Sequence, residues 1–180
     1  MNYIPTKIDG LYVVEPRVFA DDRGYFFESY SKLKEENSAI HYNWVQDNES
    51  FSERGVLRGM HYQCGEHAQA KLVRVIQGEV QDIVVDVREG SPTYGQYHSI
   101  VLSGDNKKQF LIPRGMAHGF LVLSETAIFS YKCDNFYNKE SEGGIHFNSP
   151  SLDLPWEKMI DYKVSEKDHI LPHFGEHKKF

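Results

Sequence analysis

The chain is patterned as short runs in which apolar and polar residues alternate, cut at regular intervals by turn-forming residues. Lys71–Ile76 and Val80–Val87 are two such runs. In the second, Ile83, Val85 and Val87 fall on one side of an extended strand, and Asp82 and Asp86 on the other. Gln77-Gly78-Glu79 between them predicts a hairpin with glycine at the turn. Further runs follow at Tyr97–Leu102, Gln109–Ile112, Gly119–Leu123 and Ala127–Lys132. They are separated by Ser91-Pro92, Ser103-Gly104-Asp105-Asn106, Pro113-Arg114-Gly115 and Ser124-Glu125. Strands at this spacing predict an all-β sandwich or barrel. Helical patterns are confined to Ser31–Glu36 and a short turn near Ser165. With no internal repeat, low-complexity tract or linker, residues 1–180 read as a single domain.

Composition serves mainly to exclude. An apolar content of 40%, with 13% aromatic residues, is enough for one substantial core. No apolar run approaches the roughly 18 residues of a membrane span, and Met1-Asn2-Tyr3-Ile4-Pro5 lacks the charged and apolar regions of a signal peptide. A cytoplasmic protein without a membrane partner is expected. Cys64 and Cys133 make no disulfide framework, fit a reducing compartment and read as small core residues. A net charge of −6 argues against a nucleic-acid partner, since a phosphate footprint needs a basic face. An anionic small ligand stays compatible if a few Arg and Lys side chains converge.

The candidate chemistry lies in Gly55-Val-Leu-Arg-Gly-Met-His61-Tyr-Gln63, followed by Lys71 and Gly78. The spacing is similar to the cupin metal motif G-x5-H-x-H-x3,4-E-x6-G, with two of its ligands exchanged. Gln63 stands at the second histidine and Lys71 at the glutamate. A protonated lysine has no lone pair to donate and repels a divalent cation. No metal and no cofactor are therefore expected. A histidine base beside an ammonium suits proton abstraction next to a carbonyl.

Across nearly its whole length the chain resembles the dTDP-4-dehydrorhamnose 3,5-epimerase family. The residues that carry the resemblance are Asp22-Arg-Gly-Tyr-Phe-Phe-Glu28-Ser, Val45-Gln-Asp-Asn48-Glu-Ser, the Gly55–Gln63 segment, Ala70-Lys71-Leu-Val-Arg, Asp86-Val-Arg, Ser91-Pro-Thr-Tyr-Gly, Ile112-Pro-Arg-Gly-Met-Ala-His118-Gly-Phe and Tyr131-Lys132. The resemblance implies a cupin-type jelly roll, or double-stranded β-helix, with short peripheral helices. It also implies inversion at C3 and C5 of dTDP-4-dehydro-6-deoxy-D-glucose, through enolates, to dTDP-4-dehydro-L-rhamnose for dTDP-L-rhamnose biosynthesis. By the same resemblance His61 is the base, Asp168 orients it, Lys71 stabilises the enolate oxygen and Tyr131 is the acid opposite. Arg23, Glu28, Gln46, Asn48, Arg58, His118, Glu142 and Lys167 match binding positions, and Phe136 or Tyr137 could stack on thymine. Family members are homodimers whose N-terminal segment, here carrying Arg23 and Glu28, completes the neighbour's pocket.

Plainer readings compete at several of these positions. Ser165-Glu-Lys-Asp168 also scans as a capping box, so Asp168 could simply start a helix. Tyr131 shares a strand face with Phe129 and Ala127, which suits core packing. Arg58 and His61 would face opposite sides of a regular strand, a conflict that a bulge at Gly59, or a contact made by Arg58 elsewhere in the pocket, would remove. Rival functions are a single-site 3- or 5-epimerase, a metal-dependent cupin oxygenase and a non-catalytic sugar-binding module.

Overall fold

Period-two alternation gives each strand two faces, and here several of the central strands bury both. The computed structural model describes residues 1–36, 40–159 and 161–180. Its strands are β1 (Asn2–Pro5), β2 (Tyr12–Glu15), β3 (Phe19–Asp21), β4 (Gly24–Phe26), β5 (Gln46–Glu53), β6 (Val56–Gln63) and β7 (Lys71–Gln77). They continue as β8 (Glu79–Asp86), β9 (Tyr97–Ser103), β10 (Gln109–Ile112), β11 (Met116–Val122), β12 (Thr126–Cys133), β13 (Glu142–Gly144) and β14 (Lys163–Val164). Two short helices, α1 (Lys32–Glu36) and α2 (Glu166–His169), lie where the helical patterns placed them.

The long strands form two facing sheets, the expected all-β jelly-roll arrangement. One has the order β1-β2-β10-β7-β12-β5, the other β13-β6-β11-β8-β9, with β14 added in parallel to β6. Between the sheets lies a core that includes Leu11, Val73, Val84, Phe110, Phe120, Val122 and Phe129. The second sheet is covered on its outer face too, where Met60, Tyr62, Ile83 and Val85 pack under Ile145, Leu152 and Phe174. That outer layer explains why β8 carries apolar residues on both faces.

Two expectations change. Gln77-Gly78-Glu79 is not a hairpin, because β7 pairs with β10 and β12 whereas β8 pairs with β9 and β11. The turn instead passes the chain from one sheet to the other. It needs glycine, since Gly78 has φ +82° and a Cβ there would lie 2.1 Å from the Thr126 carbonyl oxygen. Second, β5 carried no strand signal, being polar at seven of eight positions in Gln-Asp-Asn-Glu-Ser-Phe-Ser-Glu. It pairs with β12 along its whole length, directing Gln46, Asn48 and Ser50 to the same side as Cys133, Tyr131 and Phe129.

The Asp82 and Asp86 side of β8 is likewise not a solvent face: both carboxylates are fully buried. Asp86 accepts hydrogen bonds from Arg88 Nε (2.9 Å), Arg88 Nη2 (2.8 Å), Ser91 Oγ (2.6 Å) and Thr93 Oγ1 (2.6 Å), closing the loop after β8. Burial alone would raise the Asp86 pKa. The Arg88, Ser91 and Thr93 donors outweigh it and bring the value down from 3.8 to about 2. A folded-state pKa below the unfolded one means stability that is present above the unfolded value and is lost as pH falls towards about 2. The shift corresponds to about 2 kcal/mol. Asp86→Asn is expected to lose stability of that order in denaturant melts at neutral pH, with the deficit closing as pH falls below 4. Equal melts at neutral pH would show that this network contributes nothing.

Candidate active site

The inward faces of the two sheets diverge at one end around a cavity of about 670 Å³. Its walls include Asn48 from β5, Arg58 and His61 from β6, Lys71 from β7, His118 from β11 and Tyr131 from β12, with Lys167 and Asp168 from α2. A second lobe of about 360 Å³ shares Asn48, His61, Lys71 and Tyr131 with the first and adds Gln46, Tyr137 and Glu142. The strand ends that build this hollow carry polar residues where the deeper core carries Val and Phe.

The conflict between Arg58 and His61 is resolved by a bulge. His118 is paired with His61 and Phe120 with Arg58, so two steps along β11 oppose three along β6. The extra residue lies at Gly59-Met60, and both Arg58 and His61 thereby line the cavity. Gly59 has φ +119°, and a Cβ on it would lie 2.6 Å from Gly119 Cα and 2.7 Å from the His118 carbonyl oxygen. Only glycine at this point lets β6 approach β11 closely while turning Arg58 inward. Arg58 Nε then donates to Ser52 Oγ at 3.1 Å.

His61 Nε2 is 2.7 Å from Asp168 Oδ1. The other carboxylate oxygen, Oδ2, accepts the Gly59 N–H at 3.1 Å, so the bulge also anchors the acid. Ser165 Oγ caps α2 by accepting the Asp168 N–H at 3.1 Å, while the Asp168 side chain points to His61 and not back to the cap N–H. Burial opposes ionisation of Asp168, but His61, the Gly59 N–H and Ser165 outweigh it and lower its pKa. The carboxylate is thus held charged beside the imidazole, fitting it to fix the ring and to stabilise an imidazolium.

Lys71 opens β7, and Asp134 fixes its entry. Asp134 Oδ1 accepts the Ala70 N–H at 2.6 Å, and Oδ2 is paired with Arg114 at 2.9 Å. The Lys71 ammonium lies 5.9 Å from the centre of the Tyr131 ring. Burial lowers the Lys71 pKa, against the pull of Cys133, Asp82 and Glu142. Tyr131 stands on the sheet opposite His61, and burial raises its phenol pKa, with Cys133 adding to the rise and Arg58 opposing it. The phenol therefore keeps its proton at neutral pH.

The other candidate residues divide by location. Gln46, Asn48, Arg58, His118, Glu142 and Lys167 all reach the two lobes. Glu142 links Lys167 to an aromatic side chain, accepting from Lys167 Nζ at 2.5 Å and from Tyr137 Oη at 3.0 Å. Phe136 is exposed on the same segment but lines neither lobe. Arg23 and Glu28 do not reach the cavity within this chain. Arg23 lies on the β3–β4 hairpin with its guanidinium 90% exposed, paired with Asp21, and Glu28 contacts Lys34. Gln63 is buried, its Oε1 accepting the Asn138 N–H at 3.1 Å. Sequence reasoning missed Asp82, which lies 2.9 Å from His118 Nε2. Its signal was a carboxylate on the same strand face as Val80 and Val84.

The dTDP-4-dehydrorhamnose 3,5-epimerase family model matches residues 5–176. The Pseudomonas aeruginosa dTDP-4-dehydrorhamnose 3,5-epimerase is 51% identical over 162 residues, covering 89% of either chain. The crystal structure of the Elizabethkingia anophelis dTDP-4-dehydrorhamnose 3,5-epimerase superposes with a TM-score of 0.93 at 52% identity, covering 98% of this chain and 97% of that one. A dTDP-6-deoxy-D-glucose-3,5-epimerase from Legionella pneumophila, solved in complex with dTDP-4-keto-L-rhamnose, gives 0.93 at 47% identity, covering 97% and 93%. With matches of this extent in both sequence and fold, the chain belongs to the dTDP-4-dehydrorhamnose 3,5-epimerase family.

Proposed function

We propose that this protein converts dTDP-4-dehydro-6-deoxy-D-glucose to dTDP-4-dehydro-L-rhamnose by inverting C3 and C5. The observation that carries the reading is the pairing across one cavity of a His61–Asp168 dyad on one side with Tyr131 on the opposite sheet and Lys71 between the two lobes. In each inversion His61 removes a proton alpha to the C4 ketone, and the electron pair moves onto the ketone oxygen as an enolate. Lys71 supplies positive charge there, an effect worth roughly 10²–10³ in rate for one well-placed donor. Tyr131 delivers a proton to the carbon from the other face. The tyrosinate is then reprotonated and His61 gives up its proton, so no external acid, base or redox partner is consumed. Arg58 and Lys167 supply positive charge for the diphosphate, while Asn48, Gln46 and His118 hold the sugar and the base.

Incubation with dTDP-4-dehydro-6-deoxy-D-glucose in deuterated water, followed by NMR, tests this directly. Deuterium at both C3 and C5 with formation of the L-rhamno product is expected. Exchange confined to one carbon would replace the reading with that of a single-site epimerase, and nucleotide binding without exchange would point to a sugar-binding module. Activity should survive exhaustive chelation, because the cupin ligand positions hold Lys71 and a Gln63 already engaged by Asn138. Chelator-sensitive activity restored by stoichiometric iron, zinc or manganese would argue for the oxygenase class.

The same reading includes a homodimer. The β3–β4 hairpin extends Phe19, Tyr25 and Phe26 to solvent, each more than half exposed, together with Arg23. Such an arm is suited to docking on a second copy and carrying Arg23 and Glu28 to its cavity. Sedimentation should give a dimer, and Arg23→Ala should raise KM without changing the dimer. Full specific activity in a stable monomer would rule the arrangement out.

A further inference from the structure

Beneath the cavity lies a carboxylate that the proposed proton transfers do not use. Asp82 is fully buried in the middle of β8, on the face that carries Val80 and Val84 towards the core between the sheets. One oxygen, Oδ2, is 2.9 Å from His118 Nε2. The other, Oδ1, has no hydrogen-bond partner among the described residues. A buried carboxylate left half-satisfied is costly, and packing alone would be served better by an apolar residue on this strand. Basic side chains surround it instead. His118 approaches from β11, and Lys71 from β7 is near enough to feel its charge, as is His98 from β9. His118 and Lys71 both line the cavity, whereas Asp82 lines neither lobe.

We propose that Asp82 is a positioning residue, a fixed buried negative charge that holds the His118 ring and serves as counter-charge to the Lys71 ammonium. The inference rests on the epimerase reading, in which Lys71 stabilises the enolate oxygen. The Lys71 ammonium has no hydrogen bond among the described residues, and burial works against its charge. Cys133 on β12, Asp82 on β8 and Glu142 on β13 oppose that loss. Glu142 already binds Lys167 and Tyr137, and Cys133 is a buried thiol whose own pKa is raised by burial. Asp82 is thus the carboxylate of the set that is not tied to another cation at the rim. Through Nε2 it also commits the His118 ring, leaving Nδ1 to face other partners.

Asp82→Asn tests this, because it keeps the shape and an acceptor for His118 while removing the charge. We expect kcat for the dTDP-4-dehydro-6-deoxy-D-glucose reaction to fall on the order of 10-fold or more with KM little changed. The alkaline limb of the kcat profile, where Lys71 loses its proton, should move to lower pH. A purely structural role would lower the melting temperature and leave that limb in place, so an unmoved limb in a folded variant overturns the proposal. If Asp82→Asn does not fold, ¹⁵N-histidine NMR of the wild-type protein decides. The His118 proton on Nε2, directed at Asp82, supports a charged carboxylate, and Nε2 as an acceptor overturns it. A wild-type protein inactive on the substrate would defeat the epimerase reading itself. An active wild type with an unshifted variant defeats only the role of Asp82.

Discussion

His61→Ala is expected to lower kcat by about 10²–10⁴-fold, with substrate affinity changed much less. In the proposed mechanism the imidazole is the general base, with Nε2 at 2.7 Å from the Asp168 carboxylate, and Asp168 lines the larger lobe but not the smaller. Removal should leave the fold intact. The His61 side chain is 31% exposed into the cavity, and Asp168 keeps the Gly59 and Ser165 hydrogen bonds that anchor it. Both deuterium wash-in at C3 and C5 and product formation should fall together, because without a base the enolate does not form. Melting temperature and nucleotide affinity provide the controls. Turnover near wild type in a well-folded variant would mean that another group takes the proton, and the assignment of His61 would fail.

Tyr131→Phe should separate the two proton transfers that His61→Ala abolishes together. The phenol stands on the sheet opposite His61, keeps its proton at neutral pH because burial raises its pKa, and packs against Phe129 with ring centres 6.2 Å apart. Phenylalanine preserves that packing and removes the acid. His61 can still form the enolate, but the only proton returned comes from the imidazolium on the original face, which restores the starting configuration. In deuterated water the substrate should gain deuterium alpha to the ketone faster than the inverted product appears, provided that His61 exchanges with solvent during the life of the enolate. Epimerisation should fall by about 10²-fold or more, the range for loss of a positioned acid. Inversion at the wild-type rate would leave Tyr131 as a packing residue. If exchange and inversion disappear together, measuring nucleotide affinity separates loss of binding from loss of chemistry.

The sequence by itself determined the all-β class, most strands of the second half of the chain and both short helices. Each rests on local physics: alternation of period two, glycine and proline at turns, and a serine cap at Ser165. The exchange of Gln63 and Lys71 into a metal motif was equally legible, since ligand chemistry belongs to the residue and not to its surroundings. Tertiary structure decided the rest. Gly78 looked like a hairpin turn because turn chemistry is local, but which strand pairs with which depends on the sheets. β5 was invisible because a strand lining a polar cavity on one face and solvent on the other has no apolar period. Whether Arg58 and His61 share a face depended on one inserted residue at Gly59-Met60, and a single slip reverses every side chain beyond it. Asp82 read as one of two acids on the strand face opposite Ile83, Val85 and Val87. Only the facing sheet, closing over it, turned that acid into a buried charge beside His118, because burial is set by what packs from far along the chain.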